Sequence, residues 1–335
     1  MNRLFLPADH TVDHALRGLV LTHPDLLRLN ESPLYVAARE RHPERRVGLV
    51  SGGGSGHEPL HSGFVGSGML DAAVPGRVFA SPHNRQVLEA SRDAAGDDGV
   101  LHIVKNYTGD RINFGIAAER LRAEGIQVRR VLVDDDLATE SDETATGRRG
   151  TGATVLVEKL LGGAADTGLG LDELAELGAR FTAASRSVAV ASRAQTSPSQ
   201  GGEAFDLPDG TLEYGVGIHG ERAVTTLSHP GLEQLVDRMV RQILDALPQP
   251  VGSVLLLVNG LGATTLLELQ AIHHHVSKLL GERGIDVIGR LVGTFVPALD
   301  MSGFSLTLTS LRDDWRAYWH APVRTPALLT TESTR

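Results

Sequence analysis

The residues of this sequence best able to do chemistry are polar side chains placed directly after apolar runs. Residues 47–59 (VGLVSGGGSGHEP) join an apolar run to three consecutive glycines and end in His57, Glu58 and Pro59. Glycine lets a backbone approach a ligand without an intervening Cβ, and imidazole exchanges protons near neutral pH. Because the segment presents His57 rather than a phosphate-binding lysine, it favours a small polar substrate over a nucleotide.

Two further polar clusters follow apolar runs in the same half of the chain. Residues 105–110 (KNYTGD) follow VLHIV, and Asp134–Asp136 follow VRRVLV. Ligands of open α/β sheets bind beyond the carboxyl ends of parallel strands, so we expect these turns to line one crevice. Asp110 has a second interpretation, since it can cap the helix that follows. For Asp134–Asp136 we favour a turn with solvated or capping carboxylates over a metal site.

Known phosphate and metal motifs do not fit the chain. Counted from Gly52, the Gly-Lys-Ser/Thr places of a Walker loop hold His57, Glu58 and Pro59. Residues 215–220 (GVGIHG) match the dinucleotide pattern, but no buried apolar strand is predicted before them. His273–His275 lie in a predicted helix, where consecutive side chains point about 100° apart and cannot converge on one ion. We therefore expect neither a cofactor nor a metal on this chain.

The elements that must position these groups form an alternating pattern. It predicts strands at 47–50, 100–104, 128–133, 253–258, 285–291 and 305–309, and helices at 112–124, within 154–177 and from a Thr264 or Thr265 cap to about 281. This order predicts two α/β domains, each a β-sheet flanked by helices, with the substrate site in loops at the strand carboxyl ends. We place the domains at residues 1–183 and 184–335, just before the Ser-, Pro- and Gly-rich segment 193–209.

Composition excludes several classes of protein. The chain has 335 residues, no cysteine and a net charge of −9, so disulfides and thiolate sites are impossible, and binding to nucleic acid or anionic membrane has little electrostatic support. Its longest apolar stretch, residues 251–267, contains Asn259 and three glycines, which is unlike a membrane span. The N-terminus is a poor signal peptide. These features predict a cytoplasmic protein.

Taken together, the motifs resemble the dihydroxyacetone kinase family, in particular its sugar-binding K subunit. The matching segments extend over nearly the whole chain: Ser51–Pro59 (SGGGSGHEP), Val104–Asp110 (VKNYTGD), Val133–Asp136 (VDDD), Gly147–Gly150 (GRRG), Val155–Leu160 (VLVEKL), Gly215–Glu221 (GVGIHGE), Val258–Thr264 (VNGLGAT), Leu299–Ser305 (LDMSGFS) and Thr325–Leu328 (TPAL).

The resemblance implies a covalent mechanism. In the family, the histidine of the GVGIHGE segment attacks the ketone carbon of dihydroxyacetone, so His219 is expected to form a hemiaminal. His57 would hydrogen-bond the substrate and assist proton transfer, and Asp110 would be the general base on the hydroxyl that is phosphorylated. The remaining substrate contacts would come from Gly54, Ser55, Gly56 and Lys105.

The resemblance also implies partners. ATP or ADP with Mg would be held by a separate nucleotide-binding L subunit, possible partners include a phosphotransferase-system M subunit, and the chain itself would form a homodimer. Two alternatives stay open. The substrate could be a tetrulose such as erythrulose, or the chain could be a non-catalytic regulator that senses the sugar.

Overall fold

A computed structural model of the chain describes residues 4–6, 10–139, 147–197, 201–222 and 225–331. The described residues form two six-stranded sheets, a two-stranded sheet and eight α-helices. No described helix has the length and apolar character needed to cross a membrane. The predicted α/β class, with helices flanking each sheet, is confirmed.

The first sheet has a parallel centre. Its strands are β1 (Leu27–Glu31), β2 (Leu34–Ala38), β3 (Gly48–Ser55), β4 (Ala72–Val78), β5 (Val100–Lys105) and β6 (Val128–Val133), in the order β1-β2-β4-β3-β5-β6. Strands β4, β3, β5 and β6 run parallel, whereas β1 and β2 add antiparallel pairs. The parallel strands therefore bring the ends of β3 and β5 to the same edge.

Helices with apolar faces cover this sheet. The helices of this part of the chain are α1 (Thr11–Thr22), α2 (Asn84–Ala94), α3 (Thr108–Ala123), α4 (Ala153–Ala165) and α5 (Leu171–Ala183). Residues Val87 and Ala90 of α2 and Phe114 and Leu121 of α3 recur at helical spacing and pack with β-strand side chains in one core. These helices therefore pack against the part of the sheet that contains β3 and β5.

Strand β3 is longer than the sequence pattern predicted. The glycines were expected to form a turn after Val50, but the strand continues through them to Ser55. A Cβ on Gly52 would lie 2.4 Å from the Val74 carbonyl oxygen, and a Cβ on Gly53 would lie 2.2 Å from the Lys105 Nζ. The glycines thus let neighbouring groups press against an extended strand, and only Gly56 beyond it has a positive φ, of 102°.

The second sheet is mostly antiparallel. Its strands are β7 (Ser185–Arg193), β8 (Thr211–Tyr214), β9 (Thr225–Ser228), β10 (Ser253–Gly260), β11 (Asp286–Gly293) and β12 (Ser302–Ser310), in the order β11-β10-β12-β7-β8-β9. Helices α6 (Leu232–Ala246) and α7 (Leu266–Glu282) share a core with these strands. Only β10 and β11 pair in parallel, so the second half does not repeat the parallel pattern of the first.

Predicted elements of the second half lie close to their predicted positions. Thr265 caps α7 through a capping box with Glu268, as the sequence predicted for Thr264 or Thr265. The chain ends with the short helix α8 (Arg316–His320) and the paired strands β13 (Val323–Arg324) and β14 (Leu329–Thr330).

The chain divides into two compact units. The first unit comprises the described residues of Leu6–Val133, Thr154–Thr182 and Asp314–Arg335, and the second those of Met1–Phe5, Asp134–Ala153 and Ala183–Asp313. The sequence analysis placed contiguous domains at residues 1–183 and 184–335, whereas these units are discontinuous. Residues 134–153 belong to the second unit, in which Asp136 forms a bridge with Ser187 of β7.

Candidate functional site

His57 is buried beyond the end of β3. Its side chain has no solvent exposure, and its ring centroid lies 5.2 Å from that of Phe79. The backbone N–H of Gly56 donates to Glu58 Oε2 at 2.8 Å, and the Ser55 hydroxyl donates to the Gly76 carbonyl at 2.8 Å. The Ser55 hydroxyl is thereby engaged by the protein, so this segment offers backbone groups and an imidazole to a ligand.

Lys105 and Asp110 follow β5 in the same unit. Lys105 is the last residue of the strand, and Asp110 lies in the first turn of α3. Both are buried, with exposures of 0% and 2%. The helix cap residue is Tyr107, whose side chain makes no capping hydrogen bond. Oδ1 of Asp110 has no hydrogen-bond partner among the described residues. This oxygen of the Asp110 carboxylate is therefore not used in capping.

A buried network joins Lys105 to two residues that the sequence analysis did not assign to the site. Lys105 Nζ lies 2.7 Å from His61 Nε2, and His61 Nδ1 lies 2.6 Å from Glu158 Oε1. The Ser51 hydroxyl lies 2.9 Å from the same Nδ1. Ninety-seven positions separate His61 from Glu158. One signal was available in the sequence, because Glu158 interrupts the apolar helix α4.

Burial dominates the protonation of this network. Loss of solvent lowers the pKa of Lys105, although the carboxylates of Asp110 and Glu158 oppose that shift. Burial and the charge of Lys105 also lower the pKa of His61 well below its ordinary value. Burial raises the pKa of Glu158 to about 8. The imidazole of His61 is therefore neutral at physiological pH.

His219 lies in the second unit, in the loop between β8 and β9. Its Nδ1 lies 3.0 Å from Oε1 of Glu221, and its backbone N–H donates to Oε2 of the same carboxylate at 3.0 Å. Gln195 donates to the His219 carbonyl at 3.0 Å. Gly220 has a φ of 82°, which favours glycine in this tight loop. The loop thus holds the His219 imidazole in hydrogen-bond contact with the carboxylate of Glu221, two positions further along the chain.

An arginine anchors that carboxylate. Arg149 Nη1 lies 3.9 Å from Glu221 Oε2, and Arg149 also pairs with Asp136 at 2.6 Å. Burial raises the pKa of Glu221, but the hydrogen bond and charge of His219 together with Arg149 outweigh it and lower the pKa to about 2. The Glu221 side chain is 37% exposed, so solvent screens part of this effect. Glu221 is ionised at neutral pH and can hold the proton of Nδ1.

Solvated or capping carboxylates were expected at Asp134–Asp136, and two of the three are buried rather than solvated. Asp135 and Asp136 have exposures of 0% and 1%. Asp135 accepts hydrogen bonds from the backbone N–H groups of Thr151 and Ala153 at 2.7 and 3.0 Å, so it does act at the start of α4. Burial raises the pKa of Asp136 to about 6, against the effect of Arg149. Asp135 and Asp136 therefore stabilise the structure of the second unit.

The dinucleotide-like segment 215–220 has the wrong surroundings for a nucleotide. Strand β8 before it is antiparallel, and a turn rather than a helix follows it. The sequence analysis expected no buried strand there, yet Leu212, Glu213 and Tyr214 are buried in β8. The described residues contain no cluster of three or more histidines and carboxylates arranged to hold a metal ion.

The predicted site residues thus fall into two groups. His57, Lys105, Asp110 and the glycines with Ser55 (Gly54–Gly56) belong to the first unit. His219 belongs to the second unit. The sequence analysis missed Glu221 as the partner of His219 and the pair His61 and Glu158.

Comparison with known proteins gives matches that cover nearly all of this chain. The model of the Dak1 domain matches residues 17–327. The PEP-dependent dihydroxyacetone kinase, dihydroxyacetone-binding subunit DhaK, of Escherichia coli is 39% identical over 98% of this chain and 99% of its own. The corresponding subunit of the PTS-dependent dihydroxyacetone kinase 1 of Listeria innocua is 41% identical over 98% and 100%. The L-erythrulose 1-kinase of Mycolicibacterium smegmatis is 37% identical over 98% of this chain and 58% of its own.

Solved structures agree with these relatives. The dihydroxyacetone kinase of C. freundii superposes with a TM-score of 0.90 and 35% identity, over 100% of this chain and 62% of that one. The dihydroxyacetone kinase operon co-activator Dha-DhaQ superposes with a TM-score of 0.89 and 35% identity, over 94% and 98%. The chain therefore belongs to the Dak1 family, the kinase family that includes these dihydroxyacetone-binding subunits.

Proposed function

We propose that this chain is the dihydroxyacetone-binding subunit of a two-component kinase and that it holds the ketose as a hemiaminal on His219. Full-length similarity to two dihydroxyacetone-binding subunits supports the substrate. The hydrogen bond between His219 and Glu221 is the observation that carries the covalent step. It directs the Nδ1 proton towards a carboxylate and leaves the lone pair on Nε2.

The covalent step balances with the residues at hand. Nε2 of His219 attacks the ketone carbon, and the carbonyl electron pair moves to oxygen. The imidazolium form of His57 gives a proton to the new alkoxide and becomes neutral, while the ionised Glu221 carboxylate accepts from Nδ1–H and stabilises the positive charge that the His219 ring gains. The product is a hemiaminal with a new carbon–nitrogen bond, and its positively charged ring is paired with Glu221. Glycerol has no carbonyl carbon to attack, so this chemistry selects ketones and aldehydes over polyols.

The second step is phosphoryl transfer to a terminal hydroxyl. Asp110 would take the hydroxyl proton as the oxygen attacks phosphorus. Its buried carboxylate with an unpartnered Oδ1 suits that role. A separate L subunit would supply the phosphoryl group from a Mg-bound nucleotide, which a phosphotransferase M subunit would recharge if the donor is phosphoenolpyruvate. We also propose a cytoplasmic homodimer.

Phosphorylation with a supplied L subunit tests the enzyme hypothesis. The chain and the partner are incubated with dihydroxyacetone, with erythrulose and with glycerol, and phosphorylated product is measured. We expect dihydroxyacetone phosphate, and no glycerol phosphate. A higher kcat/KM for erythrulose would instead assign the tetrulose, the second candidate substrate, which the similarity to an L-erythrulose kinase suggests.

A regulatory role is the other candidate. The similarity to an operon co-activator supports it, since that protein has the same fold over 98% of its length. A regulator of this kind would bind the sugar without transferring phosphate. Sugar binding combined with failure of phosphorylation by every L subunit tried would favour this role, and product formation would exclude it.

A further inference from the structure

Three buried side chains of the first unit form a connected line that the proposed mechanism leaves unexplained. Lys105 Nζ contacts His61 Nε2 at 2.7 Å, and His61 Nδ1 contacts Glu158 Oε1 at 2.6 Å. Their exposures are 0%, 5% and 0% respectively. Burying an unpaired charged group costs free energy, so a lysine and a glutamate at this depth require partners that compensate for the loss of solvent.

Two proton arrangements satisfy this line. In one, the Lys105 ammonium donates to Nε2 and the Nδ1–H donates to an ionised Glu158. In the other, a protonated Glu158 donates to Nδ1 and the Nε2–H donates to a neutral Lys105 amine. The net charge of the three side chains is zero in both. A proton passes from Nζ to Nε2 while another passes from Nδ1 to Oε1, and the imidazole only changes tautomer.

We propose that Lys105, His61 and Glu158 form a buried proton relay, in which His61 and Glu158 are positioning residues that set whether Lys105 presents an ammonium to the bound substrate. This inference rests on the proposed function, which gives Lys105 a substrate contact. Lys105 Nζ lies beside the backbone of the glycine strand, 2.2 Å from where a Cβ of Gly53 would stand.

The surroundings act on Lys105 in both directions. Burial lowers the pKa of the lysine, whereas the charges of Asp110, which faces it from α3, and of Glu158 oppose that shift and favour the ammonium. His57 and Lys105 are the groups whose charges act on His61. The Ser51 hydroxyl donates to the Ile103 carbonyl at 2.8 Å, so its oxygen can accept from Nδ1. These contacts are compatible with the Nδ1–H tautomer, in which Nε2 accepts from the ammonium.

Glu158→Gln is the variant that separates the two arrangements. Glutamine has nearly the same shape, but it carries no charge and can donate its amide N–H to Nδ1. Nε2 then carries the proton, and Lys105 is held as an amine. As the pH rises, we expect dihydroxyacetone affinity to fall at a lower pH than in the wild type. This alkaline limb of the pH profile should move down by about 1 to 3 pH units, because the loss of one nearby opposite charge lowers the pKa of a lysine by about that much.

Affinity for dihydroxyacetone is measured by calorimetry between pH 6 and 9.5 on the full chain, with Lys105→Met, the Glu158→Gln/Lys105→Met double variant and exposed Glu119→Gln as control. The relay predicts that Glu158→Gln has little further effect in the Lys105→Met background. An unmoved alkaline limb, or an equal loss of affinity in both backgrounds, would overturn it. Failure of the wild type to bind at all would instead refute the proposed function.

A second measurement needs neither a variant nor the ligand. Nitrogen-15 NMR of the wild-type chain reports the protonation of the His61 ring directly. We expect a neutral ring with both nitrogens hydrogen-bonded from pH 6 to 9. A ring that becomes an imidazolium within that range would exclude the relay.

Discussion

Glu221 holds the imidazole of His219 by two contacts, one to Nδ1 and one to the backbone N–H, each at 3.0 Å. The same carboxylate lies 3.9 Å from Arg149, which is itself paired with Asp136. A nucleophilic imidazole needs one protonated and one unprotonated nitrogen in fixed places. In the proposed mechanism, Glu221 therefore determines which nitrogen of His219 attacks the ketone.

Glu221→Gln tests that role. The amide can donate to Nδ1 as well as accept from it, so the proton is no longer held there and the reactive tautomer is no longer enforced. We expect the fraction of protein carrying a hemiaminal to fall at least about tenfold, since loss of the correct tautomer is costly in comparable sites. Adduct is measured by intact-mass spectrometry at fixed dihydroxyacetone. Exposed Glu233→Gln is the control, and full adduct in Glu221→Gln would contradict this role.

Asp110→Asn separates binding from phosphoryl transfer. The amide keeps the shape of the carboxylate but cannot accept the hydroxyl proton. We expect dihydroxyacetone affinity within a few-fold of wild type and a phosphorylation rate lower by about 10²- to 10⁴-fold. Exposed Asp97→Asn should leave both unchanged. Equal losses of binding and rate would show that Asp110 is a binding residue rather than a base.

Two glycine substitutions should change the unfolding free energy in opposite directions. An alanine Cβ at Gly53 would stand 2.2 Å from Lys105 Nζ and 3.3 Å from His61 Nε2, so the lysine must leave its place. We expect a loss of about 1 to 3 kcal/mol in unfolding free energy and weaker sugar binding. Gly115→Ala, inside α3 with open space around it, should gain about 0.5–1 kcal/mol. Urea unfolding measures both, and unchanged stability in Gly53→Ala would be inconsistent with the packing.

Much of the fold follows from the periodicity of the sequence. Strands β5 and β6 and the Thr265 cap of α7 lie within a residue of their predicted positions. The extension of β3 through its glycines could not be predicted, because the groups that need the space, Val74 and Lys105, are distant in sequence. Local pattern cannot report such contacts.

The site was predicted less completely than the fold. The motifs indicated His57, Asp110 and His219, but their roles came from family resemblance rather than from spacing. The partnership of His61 with Glu158 was invisible because 97 positions separate them. The burial of Asp135 was likewise missed, since its partners lie 16 positions away at Thr151 and 52 positions away at Ser187.

A buried histidine away from the site should make the unfolding free energy of the chain fall in acid. Burial lowers the pKa of His102 to about 3, and its Nε2 lies 2.8 Å from the Ser91 hydroxyl. The unfolded chain takes up this proton near pH 6.5, so the stabilisation is complete above that pH and is lost as pH falls towards 3. We expect His102→Gln to flatten the fall in unfolding free energy below pH 6.5 by about 1 kcal/mol per pH unit.

Urea unfolding of both proteins at a series of pH values between 4 and 7.5 measures this effect. His61 is also buried and makes its own contribution to the pH dependence of the unfolding free energy. His102→Gln should therefore remove only the contribution of His102, not the whole dependence. Exposed His320→Gln is the control. If the unfolding free energy of His102→Gln falls with pH as steeply as that of the wild type, His102 does not contribute to the loss of stability in acid.

A covalent bond between His219 and the ketose is the defining step of the proposed mechanism. Carbon-13 NMR of the chain with dihydroxyacetone labelled at carbon 2 tests it most directly, because a hemiaminal converts a carbonyl carbon into a tetrahedral one. We predict a protein-bound tetrahedral-carbon signal in the wild type that disappears in His219→Ala. Sugar bound with its carbonyl signal intact, or an equal tetrahedral signal in His219→Ala, would show that His219 does not form the hemiaminal.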